Sequence, residues 1–302
     1  MKACTDDALI MPVRPEPFAL LIDPAVAGLS ATDIERALRH MGFRPETIDD
    51  ETIRDGKDAA ADMNRGPVFR LWFGELVLRA GAASDMALDL LDPSRPEISL
   101  LASSLTPEWR DEGRCWMFVP ESAESAESAG VGAPPLAPRR DLFKMMLMLI
   151  DLFDATHLFW MPARLWSDAA QFRTAIAEMA ASGMPPVLHL VAFRRHEADG
   201  MPVLRTRGLA SVTGQELESP IPDGWTVAGM VRRLARLALD MMMNGPITRS
   251  DRMLGLEPGE WVRLEPQRVG EGGGGAVGEG TGHEDMGGHG TGGRVRVEFG
   301  RD

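Results

Sequence analysis

Tyrosine is absent from this chain of 302 residues, and cysteine occurs only twice. Cys4 and Cys115 stand far apart with no CxxC spacing. That excludes a disulfide framework and a zinc knuckle, and it fits a reducing cytoplasm. No run reaches the ~18 apolar residues that a membrane helix needs. The most apolar stretch, Met145 to Ile150, is bracketed by Asp141 and Asp151. The first residues, Met1 to Asp7, show no basic segment followed by an apolar core, so no secretory signal is expected. The phosphate-loop pattern GxxxxGK followed by Ser or Thr is missing, and so is the GxSxG nucleophile elbow.

Positive charge is also in deficit. The formal net charge is −13, and the basic residues are 29 arginines and three lysines. Binding to phosphate backbones needs a basic face, so nucleic acid is not an expected partner. An acidic chain suits a basic partner, or simple solubility. The Arg excess, with abundant Ala and Gly, reads as coding bias in a GC-rich bacterial genome and carries no functional meaning. Hydrophobic residues at 44% and charged residues at 25% are ordinary for a globular protein. The length allows two ordinary domains or one large one.

Two low-complexity segments divide the chain. Residues 120–139 contain a Ser-Ala-Glu repeat followed by Gly and Pro, and read as a flexible linker. Residues 268–293 form a Gly-rich insertion; from Gly270 to Gly293, 13 of 24 residues are Gly, too many to recover their backbone entropy by burial. The alternating strand Val295–Phe299 follows, and its expected partner is Trp261–Leu264. An N-terminal α/β half at 14–119 and a C-terminal α/β domain at 140–299 are therefore expected.

In the first half, Phe18 to Ile22 reads as a buried strand. Ser30 caps a helix that ends at Gly42. Val68–Phe73 and Glu75–Leu78 read as a hairpin, and Cys115–Val119 as a further strand. In the second half, Asp141–Phe153 is an apolar helix and Thr156–Trp160 a strand. Asp168 caps the next helix, and Val187–Arg194 reads as a strand. A long helix spans Trp225 to Met243, with Val227, Met230, Leu234, Leu237 and Met241 inward and Arg232, Arg233 and Arg236 outward. Strict βα alternation is absent. The expected class is α+β, a two-layer α/β sandwich with a mixed sheet, whose two halves could be distant repeats.

The densest motif is Thr206-Arg207-Gly208-Leu209 followed by Gly214-Gln215-Glu216-Leu217-Glu218. With the Trp225–Met243 helix, it resembles an uncharacterised bacterial domain-of-unknown-function family, number forty-two sixty-one. The resemblance is best over residues 156–299. It departs at Asn244-Gly245-Pro246, where the family has an Asp-Gly-rich turn. It implies an α/β fold in a bacterial cytoplasmic protein and no particular activity.

Glu216 and Glu218 are the candidate catalytic pair. On a strand they share a face, with Cα atoms roughly 6.5–7 Å apart. Such a pair could hold a divalent cation or act as acid and base. The alternative is a solvent-facing sheet surface paired with Arg205 or Arg207, and turn chemistry alone explains Gly208 and Gly214. Thr206, Arg207, Gly208, Gly214 and Trp225 are the candidate binding residues. No metal site and no cofactor is called for. His189 reads as a structural histidine inside a strand, and His157 as a surface residue able to pair with Asp154 or Asp151. His283, Glu284, Asp285 and His289 lie in a Gly-rich tract that cannot preorganise a metal site. The formal GxGxxG at Gly288–Gly293 follows no strand and opens no helix. Cys115 reads as a buried thiol.

No catalytic constellation is complete, so the expected function is non-enzymatic: an acidic cytoplasmic protein, inhibitor-like, immunity-like or regulatory, that binds another protein. A divalent-metal enzyme using Glu216 and Glu218 is the competing reading. Neither reading sets an oligomeric state.

Overall fold

The computed structural model describes residues 16–48, 67–74, 76–112, 114–121, 139–198, 200–267 and 293–301. Most of the expected linker, the insertion from 268 to 292 and its histidines lie outside the described residues. The protein is α+β, with two mixed sheets in two compact units, Met1–His189 and Leu190–Asp302.

The first unit is built on β1 (Phe18–Ile22), β2 (Arg44–Ile48), β3 (Val68–Phe73), β4 (Leu76–Ala82), β5 (Ser99–Leu100), β6 (Arg114–Pro120), β7 (His157–Trp160) and β8 (Leu165–Asp168). Their order in the sheet is β2-β3-β4-β6-β1-β7-β8-β5. Among the described residues of this unit, only β5 and β8 run parallel to each other. Its helices are α1 (Pro24–Ala27), α2 (Ala31–His40), α3 (Asp85–Leu90), α4 (Trp109–Glu112), α5 (Arg139–Leu152) and α6 (Ala169–Ser182), and α7 (Val187–Leu190) straddles the division.

Local chemistry sets these elements as the residue pattern suggests. The Ser30 hydroxyl accepts from the Asp33 amide at 3.2 Å and caps α2. Gly74, at φ 57°, turns β3 into β4. Strand β1 is the hub. It pairs with β6 on one side and with β7 on the other, Phe18 opposite Trp160 and Leu21 opposite His157. This pairing moves the division between units away from 120–139. The strands after the linker complete the first sheet, and the second unit begins at Leu190.

Alternation along β1 sorts the core into two faces. Ala19 and Leu21 pack with Cys115, Met117, Phe159 and Trp166, under Ala87 of α3 and Trp109 of α4. On the other face Phe18 stacks on Phe118 at 4.8 Å, and Phe153 beyond α5 meets Trp116 at 5.1 Å. Phe172 of α6 meets Phe143 of α5 at 6.4 Å. Helical residues therefore pack on both faces of this sheet.

The second unit contains β9 (Ala192–Ala198), β10 (Met201–Arg207), α8 (Ala210–Thr213), β11 (Gln215–Pro220), α9 (Val227–Asn244), β12 (Asp251–Leu254), β13 (Glu260–Gln267) and β14 (Gly293–Arg301). The sheet order is β12-β13-β14-β11-β10-β9, with β11 and β14 parallel. The expected pairing across the insertion is present: Val262 lies opposite Phe299 and Leu264 opposite Val297. The repetition of two halves is not seen in the strand orders. The expected strand from Val187 starts only at Ala192. Val187–Leu190 is instead a helical turn whose amides at Val187 and His189 bond Pro185 and Pro186.

Gly300 tests the packing of this sheet. A Cβ there would lie 2.2 Å from Trp261 Cζ2. Gly300→Ala is expected to cost about 1–3 kcal/mol, since overpacking must displace the indole. A thermal melt measures it, and an unchanged Tm would show that the ring yields freely. Among the described residues no helix is long and apolar enough to cross a membrane.

Candidate functional site

The β10–β11 connection shows what the densest motif does. Gly208 and Gly214 have φ of 94° and 77°, backbone that glycine adopts without strain. Between them the Glu216 carboxylate accepts from Thr206 Oγ1 at 2.6 Å, from the Gly208 amide at 2.8 Å and from the Ala210 amide at 3.0 Å. Thr206 Oγ1 in turn accepts from the Leu217 amide at 2.7 Å. The motif is a clasp that fixes its own turn. Glu218, on the same face of β11, lies 3.5 Å from Arg294 Nη1 and 3.9 Å from His196 Nε2. Arg294 of β14 is thus an ion-pair partner of Glu218, and Arg205 lies opposite Glu218 in the β10–β11 register. The two carboxylates share a face of β11 and have different partners. Among the described residues no group of three or more His, Cys, Asp and Glu gathers as a metal site.

Of the candidate binding residues, Thr206, Gly208 and Gly214 serve this turn, and Arg207 lies opposite Ala192 of β9. Trp225 makes its contacts elsewhere. It lines a cleft of about 600 Å³ whose wall is the start of α9, with Glu257 and Arg301 opposite and Asp223 at the rim. Beneath it lies an ion-pair network. Glu260 opens β13 with its side chain fully buried, and Arg233 of α9 is 5% exposed. Arg233 Nε donates to Glu260 Oε2 at 3.1 Å, and its Nη2 donates to Oε1. Arg301 Nη2 adds a bond to Glu260 Oε1 at 3.0 Å, and the Glu257 amide bonds Oε2 at 3.1 Å. Hydrogen bonds from Arg233, opposed by burial and reinforced by Arg301, hold the Glu260 carboxyl at about 2. The guanidiniums of Arg233 and Arg301 lie 4.4 Å and 5.3 Å from the Trp225 ring centroid.

This corrects the outward placement of Arg233. Its register is legible: 230, 233, 237 and 241 fall on one helical face, and only the charge argued against burial. Glu260 was missed for the same reason. It occupies the inward alternation of Glu260, Val262 and Leu264, all buried.

A second polar cluster lies in the first unit. His157 is 4% exposed, because the β7–β8 register sets it opposite Asp168 on the inner face. Its Nε2 is 2.9 Å from Ser104 Oγ and 3.4 Å from Asp168 Oδ1, and its Nδ1 is 3.0 Å from Thr156 Oγ1. The expected surface position is thus corrected, and the partner is Asp168 rather than Asp154 or Asp151; Asp151 pairs with Arg173. Asp168 also accepts from the Ser103 amide and hydroxyl, each at 3.0 Å, from Ser104 Oγ at 2.5 Å and from Gln171 Nε2 at 2.9 Å. Burial works against its charge, but the Ser104 and Ser103 bonds hold the carboxyl below its ordinary value. Ser, His and Asp meet here in a different order from a nucleophilic triad. The carboxylate bonds the serine and approaches Nε2, leaving Nδ1 to a threonine. The Ser103 and Ser104 amides, the natural oxyanion donors, point at the carboxylate instead.

The remaining candidates are structural. Burial pushes the Cys115 thiol up to about 12. Burial lowers the pKa of His189, whose ring meets Phe172 edge-on at 6.0 Å.

No family model matches the chain, and no curated protein or solved structure matches it either.

Proposed function

We propose that this chain is a bacterial cytoplasmic protein that binds another protein, in an inhibitory, immunity-like or regulatory role, and that β12 is the strand its partner meets. The observation that carries this is Leu254, 89% exposed on the outermost strand of the second sheet. An exposed leucine alone is ordinary. On an outer strand it lies beside backbone that another chain can extend by strand addition, with the side chain as anchor. Leu256, two residues on, is 43% exposed and extends the apolar surface. The net charge of −13 favours a basic partner. Membership of the uncharacterised family named above belongs to the same proposal. The three donors engaged by Glu216 favour this reading over catalysis by the Glu216 and Glu218 pair.

Leu254→Asp tests it. The side chain is already in water, so stability should change by no more than about 0.5 kcal/mol. In tagged pull-downs from the native lysate, a partner retained by the wild-type chain should be lost by the variant. A partner retained equally by both would remove β12 from the account.

A further inference from the structure

We propose that the cleft at the start of α9 is a binding site for a phosphate group, and that Glu257 is its built-in competitor. Three guanidiniums converge on the Glu257 carboxylate. Arg301 Nη2 donates to it at 2.6 Å, Arg233 Nη2 lies 3.2 Å away and Arg232 Nη2 lies 3.8 Å away.

The buried part of the network explains itself without Glu257. Glu260 already takes both arms of Arg233 and a bond from Arg301. Glu257 is therefore a second anion on a pair whose buried charge is met, and its side chain is 45% exposed at the mouth of the cleft. The Arg232 guanidinium makes only its 3.8 Å ion pair with Glu257 among the described residues, and its side chain is 70% exposed. Its guanidinium and the outer arm of Arg301 frame a cavity of about 600 Å³.

The forked donors of arginine suit phosphate oxygens, and a dianion can engage more of them than one carboxylate can. The acidic groups at the mouth, Glu257 and Asp223, set the competition. The ligand must displace the first and tolerate the second. Glu257 sits on the short turn Leu256–Gly259, and its half-exposed carboxylate can swing away while its amide stays bonded to Glu260 Oε2. Binding then exchanges an internal anion for an external one, and the apparent affinity is reduced by the fraction of time Glu257 occupies the arginines.

The test is calorimetric titration of the full chain with inorganic phosphate, phenyl phosphate and acetate at fixed ionic strength. Removing the competitor should tighten binding, so Glu257→Gln is expected to bind phosphate about ten-fold more tightly than wild type. Adding Arg232→Ala to that variant should abolish the gain, and its circular dichroism melt should be unchanged because the Arg232 side chain is 70% exposed. Phenyl phosphate binding as well as phosphate would mark an ester ligand, and phosphate alone a free ion; both support the site. Acetate binding as tightly as phosphate, equal affinities of Glu257→Gln and wild type, or no binding by either protein would overturn it. Leu254→Asp should bind phosphate like wild type, so loss of the protein partner and loss of the phosphate site are separate results.

Discussion

Glu260→Gln is expected to destabilise the protein by about 3–5 kcal/mol, the usual penalty for breaking a buried ion pair from one side. Glutamine nearly preserves the shape of the side chain, so the loss isolates the charge. Arg233 would remain 5% exposed with only the Glu257 carboxylate, 3.2 Å from its Nη2, to meet it, and Arg301 would lose one of its two carboxylates. The Glu257 carboxylate, half in water, cannot replace a fully buried partner.

The same pair sets the acid limit of stability. The Glu260 carboxyl is held at about 2, against an ordinary 4.5 in the unfolded chain. The unfolded state therefore takes up the proton first as the pH falls. Stability from this group is fully present above pH 4.5 and is lost progressively towards pH 2, on the order of 3 kcal/mol in all. Urea titrations of wild type and Glu260→Gln at pH 7, 4 and 3 measure it. The wild-type advantage should shrink with each step. Parallel profiles would show that the pair contributes nothing through its charge.

Asp168→Ala is expected to cost about 1.5–3 kcal/mol, because one deletion removes the charged acceptor of several hydrogen bonds and leaves the buried His157 ring without its carboxylate. The Ser103 and Ser104 amides, both hydroxyls, Gln171 Nε2 and the His157 ring all lose the same acceptor group. These donors tie the segment after β5 to the end of β8, so the damage has a location. Hydrogen exchange at the Ser103 and Ser104 amides should accelerate strongly in the variant, while exchange in β1 follows global stability alone. Unchanged protection at those two amides would mean that β5 and β8 hold the segment without the carboxylate.

Periodicity carried most of the fold. The Ser30 cap, the Gly74 hairpin and the pairing of 261–264 with 295–299 were all legible as local pattern. The last of these was readable because two alternating strands flank one Gly-rich tract. Sheet membership was not legible. Nothing in the residues of β7 and β8 says that they hydrogen-bond beside β1, because that is a contact between segments more than a hundred residues apart. The short strands β5 and β12 carry too few residues to show a period, and β2 is largely exposed with one buried position, Pro45. At the candidate sites the difficulty was charge. Arg233, Glu260, His157 and Asp168 obey the inward periodicity of their elements, yet burial of a charged group is a poor expectation until its partner is known. Each partner lies on another element, so only the assembled sheet reveals the pair. The densest motif misled in the opposite sense. Two glycines and a carboxylate suggested a ligand, and the carboxylate's ligands are the turn's own amides and threonine.

Hydrogen exchange of the full chain, with and without the partner captured from its native lysate, tests the central claim most directly. The account predicts that the partner slows exchange along Asp251–Leu254 and leaves the Thr206–Glu216 turn unchanged. Protection confined to other surfaces, with β12 exchanging as in the free protein, would contradict it.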